Sequence, residues 1–141
     1  MVSNQYFIVV GCGRLGSLLA NQLSSLGSSV VVIDREEAAF ENLSTEFSGF
    51  RVTGDAAELA VLRQARIDKA ECLLAITSYD NVNLMVAQVA QTVFDVPHVI
   101  ARVNDPSREP LYREFGIDTI CPTNQSAAAF LSALHAPAEG G

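Results

Sequence analysis

The amino-acid sequence predicts an α/β fold, a doubly wound six-stranded parallel sheet built as a single domain. Three observations predict it. Strand-like and helix-like segments alternate from Tyr6 to Leu134, which implies a parallel sheet with helices on both faces. The run SSVVVID at 28–34 is continuously apolar, as in a strand buried on both sides. Right-handed crossovers make such a sheet doubly wound, and 141 residues suffice for one domain with its own core.

Tyr6–Val10 is the first strand. Leu15, Leu18, Leu19, Leu23 and Leu26 share one helical face, and Gly27 closes that helix. After the strand at 28–34, Glu36–Phe47 reads as a helix with acids in its first turn, where they suit the helix dipole. Phe50–Thr53 is the third strand, Ala57–Ala65 the third helix and Cys72–Ile76 the fourth strand. Val82, Met85, Val86, Val89 and Val93 form the inward stripe of a long helix ending before Pro97. His98–Val103 is the fifth strand, Ser107–Phe115 a short helix behind Pro106, and Asp118–Cys121 the sixth strand. Gln125–Leu134 is the last helix. The expected domain is 1–135, with 136–141 as a frayed, flexible tail.

Composition removes several function classes. The net charge is −7 and Lys69 is the one lysine, so no basic patch exists for nucleic acid. No apolar run approaches the roughly 20 residues of a membrane helix, and the N-terminus lacks a signal-peptide layout. A soluble cytoplasmic protein is expected. Cys12, Cys72 and Cys121 are odd in number and far apart, so they are read as thiols. His98 and His135 are too separated for a metal pair, and no metal site is expected.

The chemistry concentrates in Gly11-Cys12-Gly13-Arg14-Leu15-Gly16, between a strand and a helix. That is the context a GxGxxG phosphate loop requires. The first glycine permits the turn, the second lets backbone approach a pyrophosphate, and the third lets helix and strand pack closely. Asp34 ends the second strand, 18 residues beyond Gly16, where a carboxylate can accept both ribose hydroxyls. A carboxylate there would repel a 2′-phosphate, so an unphosphorylated ribose is expected. Arg35 either stacks or is solvated. Arg14 places a cation at a helix N-terminus, which favours an anion nearby or a side chain turned to solvent. Cys12 fits on steric grounds, although a helix N-terminus can lower a thiol pKa.

A dehydrogenase would need more. Six strands and their helices leave no room for a substrate domain, and none of Tyr6, Tyr79 or Tyr112 has a lysine four residues later. Neither histidine has an evident acid partner, and Lys69 sits in a polar loop. The ordinary routes to catalysis therefore lack a base or nucleophile, and the chain is not expected to be an enzyme.

Six stretches together resemble one family: GCGRLGSLLA (11–20), VVVIDRE (31–37), VTGDA (52–56), LLAITSYDNVNLMVAQVA (73–90), VIARVNDP (99–106) and FGIDTICP (115–122). The set is similar to the Rossmann-like N-terminal nucleotide-binding domain of the RCK family, also called KTN or TrkA-N. These are cytosolic regulators of potassium channels and of Trk/Ktr potassium uptake. The resemblance implies binding of NAD(H) or of ATP, ADP or AMP, a homodimer or higher ring, and a membrane-embedded pore partner. It also implies that Gly11, Gly13, Arg14, Leu15 and Gly16, with Cys12 among them, hold phosphates. Asp34 then holds the ribose, Arg35 flanks the adenine, and Asp55 and Ala56 edge the adenine pocket. Thr77 and Ser78 line the crevice, and Arg102 faces the distal phosphate or the nicotinamide half. Asp80, Asn81 and Asn83 are read as caps of the fourth helix and left outside the site.

Two departures stand out. Thr123 follows Pro122 where many relatives carry an acid, and relatives continue into a second RCK domain. The chain is thus expected to be a fragment or a single-domain subunit. The reading that follows is a nucleotide-sensing regulatory subunit without turnover, peripheral to the membrane through its partner. The alternative is a small NAD-dependent oxidoreductase or redox-sensing subunit. The last helix, with Ala127, Ala128, Ala129, Phe130, Leu131 and Leu134, carries more apolar residues than one buried stripe uses. That excess predicts a second covering surface beyond the helix's own sheet. The resemblance implies that a homodimer partner supplies it, with Phe130 as anchor, the alternative being a C-terminal domain in a longer chain.

Overall fold

A computed structural model of the chain describes residues 5–136. Six strands form one all-parallel sheet: β1 (Tyr6–Val10), β2 (Ser29–Asp34), β3 (Phe50–Thr53), β4 (Cys72–Ala75), β5 (His98–Arg102) and β6 (Asp118–Ile120). Their order is β3-β2-β1-β4-β5-β6, so the strand order reverses between β1 and β4. The helices are α1 (Arg14–Ser25), α2 (Leu59–Gln64), α3 (Asp80–Thr92), α4 (Glu109–Glu114) and α5 (Pro122–His135).

Alternate residues of each central strand serve opposite faces, and both faces are covered. Ile8, Val10, Val31, Ile33 and Leu73 pack with side chains of α2, α3 and α4. Phe7, Val9, Val30 and Val32 pack with α1 and with Phe40, Leu43 and Phe47. The continuous apolarity of β2 follows from this double burial.

Two helical stripes are narrower than their spacing predicts. In α1, Leu15, Leu19 and Leu23 pack inward beside buried Gly16 and Ala20, but Leu18 and Leu26 are exposed. The inward face of α3 is Asn83, Val86, Ala87 and Ala90, flanked by Val82 and Val89, while Met85 and Val93 face outward. Small residues let both helices lie close to the sheet, which pushes leucines at the stripe edge into solvent.

The helix expected at Glu36–Phe47 is only a 3₁₀ segment, Glu37–Asn42. Phe40, Leu43 and Phe47 have helical spacing and all are buried, yet Leu43 is already extended at φ −76°, ψ 145°. Side chains capture the chain there instead. Asn21 Oδ1 accepts the Ser44 N–H at 2.9 Å and Ser44 Oγ accepts the Glu46 N–H at 3.1 Å. Likewise α2 starts at Leu59 rather than Ala57, because Asp55 holds residues 55–58 in a turn through Ala57 N–H to Asp55 Oδ1 at 2.9 Å. The segment 107–115 splits into a 3₁₀ turn, Pro106–Arg108, and α4.

The last helix begins at Pro122 rather than Gln125, since proline suits the first helical turn. It packs no stripe on its own sheet: every residue from Thr123 to Ala136 is exposed. Beyond Ala136, the frayed tail expected at 136–141 lies outside the described residues. The root of α5 is tied down by Glu109, whose carboxylate accepts from Asn124 Nδ2 at 3.1 Å and Thr119 Oγ1 at 3.0 Å.

Among the described residues, no helix is long and apolar enough to cross a membrane. Helix and strand come into close backbone approach at Gly16, where a Cβ would stand 1.9 Å from the Gly11 carbonyl oxygen. Backbone cannot swing aside as a flexible side chain does. Gly16→Ala should therefore cost roughly 1–3 kcal/mol or more, read as a lower urea midpoint. A midpoint equal to that of the unsubstituted protein would refute this packing.

Candidate functional site

The helices following β1 and β4 leave toward opposite faces of the sheet, and the strand ends part between them. A cleft of about 1170 Å³ opens there, at the carboxyl edge of the sheet, where ligands of such folds are held. Its walls bring together Gly11, Cys12, Gly13, Arg14, Leu15, Asp34, Arg35, Asp55, Ala56, Thr77, Ser78 and Arg102. Of the residues singled out in the sequence, Gly16 is the one outside the lining; it packs beneath the loop on Gly11.

The glycine loop is built from its hydrogen bonds outward. Gly11 N–H donates to the Ile33 carbonyl at 2.8 Å, at φ +108°, with the Ile76 carbonyl oxygen 2.8 Å from where a Cβ would stand. Only glycine fits that turn. Cys12 N–H donates to Asp34 Oδ2 at 2.7 Å, and the Cys12 carbonyl accepts from Asn42 Nδ2 at 3.0 Å. Gly13 is different. A Cβ there would meet no atom within 4 Å, so nothing in the protein itself demands glycine. The residue leaves a cradle at the start of α1, whose first turn holds no acid and whose cap makes no side-chain hydrogen bond. Backbone N–H groups and the helix dipole there suit an anion. Arg14 and Arg35 are both exposed at the rim.

Asp34 stands at the edge of this cradle. Its Oδ1 accepts the Glu36 N–H at 2.8 Å while Oδ2 holds Cys12. Each oxygen keeps a further lone pair for a hydroxyl. Gly54 N–H donates to the Asp34 carbonyl at 2.9 Å, which brings Asp55 and buried Ala56 to the same wall.

On the far wall, Asn83 is fully buried. It is no cap of its own helix. Its Oδ1 accepts from Thr77 N–H at 2.9 Å and Thr77 Oγ1 at 2.7 Å, and its Nδ2 donates to the carbonyls of Thr77 at 2.9 Å and Arg102 at 3.0 Å. One amide thus joins the ends of β4 and β5. Asp80 does similar work one turn earlier: its carboxylate accepts from Asn104 N–H at 2.7 Å and Asp105 N–H at 3.0 Å, and Tyr112 Oη donates to its carbonyl. Arg102 Nε is buried without a hydrogen-bond partner among the described residues.

Sequence reasoning missed Asn42, Tyr79, Val82 and Pro122, which also line the cleft. Asn42 was hidden within an expected helix. Pro122 signalled only a strand end.

The thiol pKa at Cys12 moves the opposite way from the helix-terminus expectation. Burial pushes it up to about 11, with the Asp34 carboxylate adding to the rise and Arg51 opposing it. Cys12 is a neutral, small filler of the loop.

Comparison with known proteins places these features in context. The family model described as "TrkA-N domain" matches residues 7–123. The Trk system potassium uptake protein TrkA of Streptomyces coelicolor is 40% identical over 129 residues, covering 92% of this chain and 58% of that protein. The chain thus spans little more than half the length of this curated relative. The TrkA-N domain of the inner membrane protein ybaL from Escherichia coli has a TM-score of 0.80 at 24% identity, covering 94% of this chain and 98% of that one. The Kef C-terminal domain of Shewanella denitrificans in its AMP-bound form gives 0.79 at 21% identity, covering 94% and 83%. The GsuK channel bound to NAD gives 0.74 at 21%, covering 92% and 23%. At these identities the structures show the fold alone.

Burial also raises Cys72 from 9.0 to about 11, and burial, followed by the Asp80 carboxylate, raises Tyr112 to about 12. Folded-state pKa values above the unfolded ones mean stability fully present below the unfolded pKa and lost as pH rises through the folded one. The urea midpoint should hold below about pH 9 and fall as pH approaches about 11. An unchanged midpoint across that window would contradict the buried-thiol account.

Proposed function

We propose that this chain, which belongs to the TrkA-N domain family, is the nucleotide-sensing domain of a cytosolic regulatory subunit for a potassium transporter or channel. It binds NAD(H) or an adenine nucleotide through its 1–135 unit and does so without turnover. The observation that carries this reading is the pairing of two features in one cleft. The glycine cradle at α1 suits a phosphate, and Asp34 beside it offers two oxygens to a ribose. The residue roles follow that pairing. Gly11 to Gly16 shape the phosphate seat and Arg14 flanks it, while Asp34 takes the ribose. Arg35, Asp55 and Ala56 border the adenine, and Thr77, Ser78 and Arg102 face the distal half.

Turnover is disfavoured by position. His98 opens β5 and Lys69 closes the 3₁₀ turn Ile67–Lys69 before β4, both at the amino edge of the sheet, opposite the cleft. His135 lies on exposed α5. A sensor needs no base. It needs a ligand with different affinities for two arrangements of the assembly, and that difference shifts their populations. The partner in this reading is a membrane-embedded potassium transporter or channel subunit, reached from the cytoplasmic side. That some solved neighbours hold AMP or NAD, and that the relatives are named for potassium uptake, supports the assignment.

Asp34→Ala should weaken adenosine-nucleotide binding by about 1.5–3 kcal/mol, the range for hydrogen bonds to a charged group. Calorimetry with NAD and AMP reads this directly, and Asp34→Asn, which retains an acceptor for Cys12, separates ribose recognition from loop folding. Unchanged affinity would sink the ribose role.

The assembly proposed is a homodimer, or a ring of such dimers, formed through α5. Phe130 is 72% exposed and Leu134 77%, an apolar surface that a partner copy would cover. Light scattering should give a dimer at tens of micromolar for the unmodified chain and a monomer for Phe130→Asp. A monomeric unmodified chain would overturn the assignment.

A further inference from the structure

Two of the chain's three tyrosines have structural duties. Tyr112 is buried with its hydroxyl donating to the Asp80 carbonyl, and half-buried Tyr6 donates to the Ala65 carbonyl at 2.8 Å. Tyr79 has no such burial. It lines the cleft with 61% of its surface exposed, although its backbone is firmly held. Its N–H donates to Thr77 Oγ1 at 3.1 Å. Thr77 is locked in turn by the buried amide of Asn83. A rigid backbone thus presents a large flat side chain to a cleft, where its ring contributes little to the core. Aromatic faces so placed stack on other rings.

Its position decides which ring. Asp34 ends β2 and Tyr79 follows β4, with β1 between them, so about two strand spacings, ~10 Å, separate the two walls. A mononucleotide held by its ribose at Asp34 ends with its phosphates over the loop after β1. Only a ligand carrying a second planar ring beyond its phosphates brings one to Tyr79. One strand further, Arg102 also lines the cleft, and its buried Nε has no hydrogen-bond partner among the described residues.

Building on the adenine-nucleotide reading of the cleft, we propose that Tyr79 is a specificity-determining residue that stacks on the second ring of a dinucleotide. It makes this cleft prefer dinucleotides over mononucleotides. NAD is the probe, with AMP and ATP as ligands that have no second ring.

Calorimetry on the unmodified chain, Tyr79→Ala and Tyr79→Phe tests it. Loss of the ring should weaken NAD roughly 5- to 15-fold while AMP and ATP stay within about twofold, and Tyr79→Phe should keep NAD affinity. The chain has no tryptophan, so tyrosine emission supplies a second readout. NAD should quench it in the unmodified chain, and Tyr79→Phe should lose that quenching while still binding. Equal weakening of NAD and AMP, or NAD affinity untouched by Tyr79→Ala, overturns the proposal and leaves the nucleotide site standing. Failure of the unmodified chain to bind NAD, AMP and ATP alike overturns the nucleotide site and this inference with it.

Discussion

Backbone meets backbone where the first turn of α1 crosses the end of β1, and that contact sets what the carboxyl edge of the sheet can become. With no side chain at Gly16, the helix sits against the Gly11 carbonyl, and its N-terminus arrives directly over the strand end. Move the helix outward by one methyl group and several positions change together. Cys12 N–H loses its line to Asp34, the loop loses its register with Asn42, and the uncapped N–H groups of α1 no longer converge beside the acid. The shape of the cradle is a consequence of close packing.

The opposite wall rests on a different device. Parallel strands β4 and β5 must end where their crossovers depart, and the backbone groups just past their ends no longer pair within the sheet. Asn83 satisfies them with a single amide, donating twice and accepting twice, as a planar group with two donors and an acceptor oxygen can. Asp80 then fixes the loop beyond β5 through neutral N–H donors. A buried polar network of this kind is satisfied throughout or costly, so the wall is stiff. One wall is positioned by the lack of a side chain and the other by a fully bonded one.

Most of the sheet is legible in the sequence because strand apolarity and strand burial are the same fact. Each strand is placed within one residue at either end. The glycine loop and Asp34 are equally legible, since a motif with a steric reason needs no tertiary information. What escapes reading is whatever depends on partners distant in the chain. Phe40, Leu43 and Phe47 have helical spacing, but Asn21 on another element captures the backbone between them. Asn83 looks like a cap until Arg102 and Thr77 are placed beside it. Leu18 and Met85 fall on apolar stripes, yet the small residues next to them decide which edge of the stripe is covered. For α5 the composition shows an excess of apolar surface, and only the fold shows that none of it meets the sheet.

That isolation changes the thermodynamic character of α5. A helix of 14 residues that is held at its root and exposed from Thr123 onward sits near the ~12–15 residue limit at which helices are marginal in water. Its order is therefore conditional, and the conformational entropy of fixing its backbone falls due when another surface covers it. An association through α5 would then carry the marks of coupled folding: a favourable enthalpy opposed by entropy, and a negative heat capacity as apolar area leaves water. Cooling and warming would shift such an association along a curve, with an optimum between them. Because Glu109 ties the root of the helix to β6 and α4, the direction in which that order begins is set by the folded domain.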